Sequence, residues 1–344
     1  MPERPRPRRR RGRVSAWLAV LALLAAPVAV AGAAYIAFAP GDDPFASPPV
    51  TLAVDSSSAA ASQPSAQATP DAPEEPPEPA PLIEGEPVPS IPLGRVDAFR
   101  IDLRKPPRAG LVFDLDTGEV LWRRRPLRVV SIASLTKIMT ALVTVDRSEP
   151  DDPVRITPAA LRYEGSAIGL LPEGRRVRLE TLLNGLLIVS GNDAAIALAV
   201  HVSGTHRRFV ALMNRRAREW GLDCTHFVSA HGLEDGNRSC ARDMAVLTRL
   251  AMAEPRIRRI ARRRQVAFHF PIKGGKLYLT GHNPLMRLGY PGAVGLKTGY
   301  TDSAGRCFVG VARRDGRRLG VVLLNSRDPA KHAPKLLDAG FAEG

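Results

Sequence analysis

Ser131 to Val143 is the stretch that most limits what this chain can fold into. From Leu135 onward a helix here is apolar nearly all the way round, with Leu135, Ile138, Met139, Ala141, Leu142 and Val145 on more than one face. A helix with no polar side has to be enclosed by the rest of its domain, so the fold is built around it. Two polar side chains interrupt it near its start, Ser134 and Lys137, and a spacing of three places both on one face. A hydroxyl at the N-terminus of a buried helix, beside an amine, is set up for nucleophilic chemistry. The helix dipole favours the negative charge that develops there, and an amine of depressed pKa takes the hydroxyl proton. Serine is also a common N-cap, and a lone Ser-x-x-Lys arises by chance. Ser134 is the only serine three residues before any of the seven lysines.

The enclosing domain has to come from about 250 of the 344 residues. Residues 1–13 carry seven arginines against Glu3 and read as a basic tail. Residues 14–39 are 26 residues without a charge, long enough to span a bilayer, and the positive-inside rule then places everything after Pro40 outside. Ala37-Phe38-Ala39 also resembles a signal-peptide cleavage site, so two readings stand: a single-pass anchor, or a removed signal with the domain secreted. Residues 40–95 form a Pro/Ala/acid-rich stretch, with 14 of the 31 prolines between 40 and 94, and read as a disordered linker. The domain itself is 96–344.

The net charge is +15. Residues 1–13 contribute +6 and 14–94 contribute −9, so 15 − 6 + 9 leaves +18 on the remainder. A globular part this basic points to an anionic partner, and the exported setting explains the basic tail without nucleic acid. The three cysteines match no zinc signature, and no His-Glu-x-x-His occurs, so neither metal nor cofactor is expected. Cys224 and Cys240 bracket the loop His231 to Asn237 and, in an oxidising compartment, are candidates for a disulfide. Cys307 lies in an apolar strand pattern and reads as a buried thiol.

Gly110 to Leu115 and Val120 to Trp122 flank Asp116-Thr117-Gly118, a hairpin signature. Helices follow over Val177 to Val189, Ala194 to Val202, Arg207 to Trp220 and Ala241 to Ala253. Short strands are predicted at Val266 to Phe270 and Lys276 to Leu279, then at Gly295 to Gly299, Cys307 to Val311 and Leu319 to Asn325. A helix from Pro329 to Phe341 closes the chain. Strands at both ends and helices between them imply an α+β fold whose antiparallel sheet joins distant segments.

Two more polar motifs each occur once. Ser190-Gly191-Asn192 is a glycine-centred bend between apolar helices that aims both side chains into a cleft, although Gly and Asn also serve as ordinary helix caps. Lys297-Thr298-Gly299 puts a cation and a hydroxyl on a strand, followed by a residue without a side chain. That arrangement suits a substrate strand lying close and a bound terminal carboxylate, although an edge lysine is also a common sheet protector.

Ser-x-x-Lys, Ser-x-Asn and Lys-Thr-Gly, in that order, are the motif set of penicillin-binding proteins and β-lactamases. Around them the chain resembles the D-alanyl-D-alanine carboxypeptidases, the low-molecular-mass penicillin-binding proteins of serine peptidase family S11. The likeness lies in Ala133 to Ala141, Ser190 to Ala195 and Gly295 to Thr301, and it extends from about Leu111 to Asn325 through Asp114 to Gly118 and His231-Gly232-Leu233. It implies the penicillin-binding protein and β-lactamase-like transpeptidase fold, a five-stranded antiparallel sheet flanked by helices, plus a helical lobe. It implies an acyl-enzyme on Ser134, with Lys137 as general base and Ser190 relaying a proton to the leaving amine. Asn192, Lys297, Thr298 and Gly299 would bind substrate, and the backbone N–H groups of Ser134 and Tyr300 would form the oxyanion hole. Many members carry His where Tyr300 stands. The implied substrates are peptidoglycan stem peptides ending in D-Ala-D-Ala, with β-lactams as inhibitors, at the outer face of a bacterial membrane.

A D,D-endopeptidase of the same fold stays open. A β-lactamase of class A needs a carboxylate to activate the deacylating water, and around Glu164 and Glu173 there is no Glu-x-x-x-Asn. A non-catalytic binding module has no need of Lys137.

Overall fold

The computed structural model describes residues 88–162 and 164–343. The basic tail, the apolar segment 14–39 and the linker up to residue 87 lie outside them; among the described residues no helix is long and apolar enough to cross a membrane. The end of the expected linker belongs to the fold. Ile91 is buried in the core with Val88 and Leu93 against it, and the Ser90 carbonyl accepts from Arg249 Nη1 at 2.7 Å. Three apolar residues within six positions bury enough surface to dock a strand-like segment, which the proline content around them disguised.

The hairpin forms as expected between β1 (Ala109–Asp114) and β2 (Val120–Arg124). Its turn is held by Asp114 Oδ1, which accepts from the N–H groups of Asp116 and Thr117 at 3.0 Å each. A short β3 (Val130–Ser131) precedes a 3-10 turn over Ala133–Thr136, which leads into α1 (Lys137–Val145). The helical lobe then runs through β4 (Pro153–Arg155), α2 (Pro158–Leu161), β5 (Arg176–Arg178), α3 (Leu179–Ile188), α4 (Asn192–Ser203), α5 (His206–Glu219), β6 (Arg238–Ser239), α6 (Ala241–Ala253) and α7 (Pro255–Ala261). The hairpin β7 (Gln265–His269) and β8 (Lys276–Thr280) and the short α8 (Pro284–Arg287) follow. The chain returns to the sheet with β9 (Ala293–Thr301), β10 (Gly305–Arg314) and β11 (Arg317–Leu324), and α9 (Pro329–Ala342) ends it.

The sheet has the order β2-β1-β11-β10-β9 and its pairings are antiparallel. β1 pairs with β11, Val112 opposite Val321, so the first and last strands meet at its centre. Both faces are covered. Leu111, Phe113, Val309, Val311 and Val322 pack toward the helical lobe, and Val112, Phe308, Leu319, Val321 and Leu323 pack toward Leu336 and Leu337 of α9. Alternation along the strands therefore divides two cores rather than core from solvent, and the strands read as continuous apolar runs. β9 is an edge strand.

Two boundaries move. The helix expected from Val177 starts at Leu179, because Arg176–Arg178 pairs with Pro153–Arg155 as a small separate sheet. The next begins at Asn192 rather than Ala194, which puts Asn192 on a helix end instead of in the bend. As the apolar pattern requires, every residue of α1 except Val145 is buried.

Candidate active site

Ser134 sits in the 3-10 turn, three residues before the start of α1 rather than on it. The residue before it, Ala133, has φ +49°. A left-handed backbone at a non-glycine residue costs on the order of 1–3 kcal/mol and persists where the surroundings over-determine it. Here the partner is Gly232, at φ +86°, where a Cβ would lie 2.6 Å from the Ala133 carbonyl carbon. Only glycine lets the 230–232 segment lie that close. The same segment anchors α1, since the Ala230 carbonyl accepts from Thr140 Oγ1 at 2.6 Å.

Lys137 Nζ lies 3.0 Å from Ser134 Oγ, 2.7 Å from Asn192 Oδ1 and 2.6 Å from the His231 carbonyl. Two of those three neighbours are pure acceptors. A neutral amine donates its two hydrogens to them and turns its lone pair to the remaining group, the serine hydroxyl. Burial, and then the positive charge of Lys297, hold the Lys137 pKa well below the ordinary lysine value, while Asp193 and Glu234 pull the other way. Lys137 is wholly enclosed, with no exposed surface. Desolvation therefore wins, and the amine is positioned to accept a proton.

Asn192 is held from its other side: its Nδ2 donates to the Glu164 carbonyl at 3.0 Å, and its own N–H donates to the Ser166 carbonyl at 2.7 Å. Asp193 fixes the next part of that loop, its carboxylate accepting from the N–H groups of Ile168 and Gly169. Ser190, at φ +63°, is the second left-handed non-glycine residue here and leaves α3 to face the cleft.

β9 brings the third motif across. A Cβ on Gly299 would sit 3.0 Å from Ser134 N and 3.1 Å from the Ile132 carbonyl, so the strand edge runs directly against the 3-10 turn. Lys297 is buried and donates to the Thr298 carbonyl at 2.7 Å; burial pushes its pKa down to about 7. Ser134, Ser190, Thr298, Gly299 and Tyr300 line one cleft of about 630 Å³. Tyr300 is exposed on its rim, its hydroxyl donating to Asp302 at 2.8 Å.

All the residues singled out in the three motifs thus meet at one place. The sequence reading missed the acceptor role of the His231 carbonyl, although His231-Gly232-Leu233 stood within the resemblance. It also missed Arg306 and Arg327, which line the same cleft. In a chain this rich in arginine, two isolated ones carry no signal. Cys307 lies opposite Gly299 on the neighbouring β10, and burial pushes its thiol up to about 11. Cys224 and Cys240 come to disulfide distance, their Cα atoms 5.5 Å apart.

Residues 106–328 match the family model for D-alanyl-D-alanine carboxypeptidase. D-alanyl-D-alanine carboxypeptidase DacB2 of Mycobacterium tuberculosis is 37% identical over 246 residues, covering 69% of this chain and 83% of that protein. DacF of Bacillus subtilis is 32% identical over 245 residues, and the chain spans 62% of its length. The crystal structure of D-alanyl-D-alanine carboxypeptidase from Mycobacterium tuberculosis superposes with a TM-score of 0.66 at 34% identity, over 73% of this chain and 95% of that one.

Proposed function

The chain belongs to the S11 family of D-alanyl-D-alanine carboxypeptidases, serine peptidases with the penicillin-binding protein fold, and on that premise we propose how its own residues carry the reaction. Ser134 Oγ attacks the carbonyl between two terminal D-alanines of a peptidoglycan stem peptide while Lys137 takes its proton. The C–N bond breaks, D-alanine leaves with a proton relayed through Ser190, and the acyl-serine ester is hydrolysed by water. The observation that carries this reading is the Lys137 amine, buried, depressed in pKa and 3.0 Å from the Ser134 hydroxyl.

The remaining roles follow from chemistry. Asn192 binds the substrate amide. Lys297 and Thr298 take the terminal carboxylate, beside a glycine that lets the peptide lie along the edge of β9. The N–H groups of Ser134 and Tyr300 flank the point where negative charge develops, and two such donors stabilise a tetrahedral oxyanion strongly. β-Lactams, which present an amide in the same orientation, acylate Ser134.

The uncharged run 14–39 supports export, as an anchor or as a removed signal, with the domain, which the packing of Ile91 extends back to about residue 88, outside the membrane and the residues between 40 and it as a tether. An oxidising setting and the 5.5 Å Cα separation together support a Cys224–Cys240 disulfide. The direct test is release of D-alanine from a short peptide ending in D-Ala-D-Ala. The full chain should release it and Ser134→Ala should not; release by the variant would refute the assignment.

A further inference from the structure

The catalytic cleft does not end at Tyr300. A cavity of about 440 Å³ shares Tyr300, Arg306 and Arg327 with it, and a third of about 320 Å³ shares Lys105 and Arg327 with the second. The three join into one groove that carries Arg306, Arg327, Lys105, Arg104, Lys331 and Lys335. Among the described residues lining the two outer cavities, Asp328 is the only acid. All six cations are exposed.

The floor is built rather than incidental. His332 is buried and bridges two segments, its Nδ1 2.8 Å from Ser326 Oγ and its Nε2 3.4 Å from the Arg104 carbonyl. Lys105 stands at φ +57°, a left-handed position that a non-glycine residue keeps where its surroundings hold it. Lys331 lies in the first turn of α9 and Lys335 one turn later, on the same face. Cations at the positive end of a helix, and like charges four apart, are both unfavourable without a neighbouring anion. Asp328, 3.4 Å from Lys331, answers only part of that charge.

We propose that this groove binds a polyphosphodiester, a chain with one negative charge per repeat, running past the catalytic cleft. A single carboxylate engages one or two cations, whereas six cations spread over three cavities that meet at Arg327 match a repeating anion. A bilayer fits less well, because the groove shares Arg327 with the cleft wall and a membrane there would cover the entrance. A polymer held in it would keep the enzyme on any surface that carries the polymer.

The test uses the full chain in detergent, with long-chain inorganic polyphosphate as probe. Binding should be tight at low salt and fall steeply as salt rises. Lys105→Glu, Lys331→Glu and Lys335→Glu together should weaken it at least tenfold, and the three Lys→Arg changes should restore it. β-Lactam labelling of Ser134 should be the same in all three proteins, which separates failure here from failure of the proposed reaction and shows that the variants fold. Unchanged polyphosphate binding by the Glu variant would overturn the proposal. So would equal binding of orthophosphate at matched phosphate concentration, or binding to phosphatidylglycerol vesicles in place of polyphosphate.

Discussion

Lys137 and Lys297 are two amines in one buried site, and the chemistry needs them in opposite states. In the proposed reaction the neutral one accepts the Ser134 proton, and the charged one attracts a carboxylate. Replacing Lys137 with Ala should lower acylation by about 10²–10⁴-fold, the usual contribution of a general base, measured as the second-order rate of β-lactam labelling. Burial pushes Lys297 down to about 7, so its charge is favoured below that pH and disfavoured above it. The kcat/KM for a D-Ala-D-Ala peptide, which reports the free enzyme, should therefore fall as pH rises above about 7. Lys297→Arg should move that limb to higher pH; an unmoved limb would assign it to another group. Stability has the opposite sign. Between about 7 and the ordinary lysine value the unfolded chain binds the extra proton, so stability rises with pH over that window. Lys137, also depressed by burial, adds a rise of its own, so denaturation across the window should show a shallower rise in Lys297→Met than in the wild type, and equal slopes would contradict the assignment.

At the scale of elements, the site depends on three segments that approach more closely than side chains normally allow. Gly232→Ala adds a Cβ at φ +86° against the Ala133 carbonyl. It should cost at least ~1–3 kcal/mol in denaturant unfolding and slow labelling of Ser134 as well. Gly299→Val meets Ser134 N and the Ile132 carbonyl at a position of ordinary φ, so it should impair labelling with a smaller loss of stability. These approaches also show what the sequence could and could not reveal. The buried α1, the closing strands β9 to β11 and the β1–β2 hairpin were legible because apolar period and turn chemistry are local. The pairs β3–β6 and β4–β5 were not: two or three residues leave no period, and Arg-Val-Arg at 176–178 becomes a strand only because Pro153–Arg155 lies beside it. The three motifs were legible as residue types in order. The His231 carbonyl was not, since a backbone acceptor has no side-chain signature. Ser134 in a 3-10 turn, rather than on the α-helix, follows from the left-handed Ala133, which nothing in the local sequence requires.

For the whole molecule, the sheet joins residues 109–124 to 293–324, with the helical lobe inserted between. The active site lies where the two meet, so its geometry depends on the complete fold. Cys224 and Cys240, 16 residues apart in sequence, close a loop that contains His231 and Gly232, and a bond between them should contribute about 3 kcal/mol. Replacing both cysteines with Ser should remove that much in chemical denaturation while leaving Ser134 labelled by β-lactam. Equal stability of the two proteins would show that the thiols are unpaired. In the proposed reaction one hydroxyl, activated by one buried amine, becomes covalently acylated. Mass spectrometry of the full chain after incubation with benzylpenicillin tests it most directly. A single adduct is expected, mapped to the peptide containing Ser134 and absent from Ser134→Ala; an adduct on any other residue, or one that persists in the variant, would rule out Ser134 as the nucleophile.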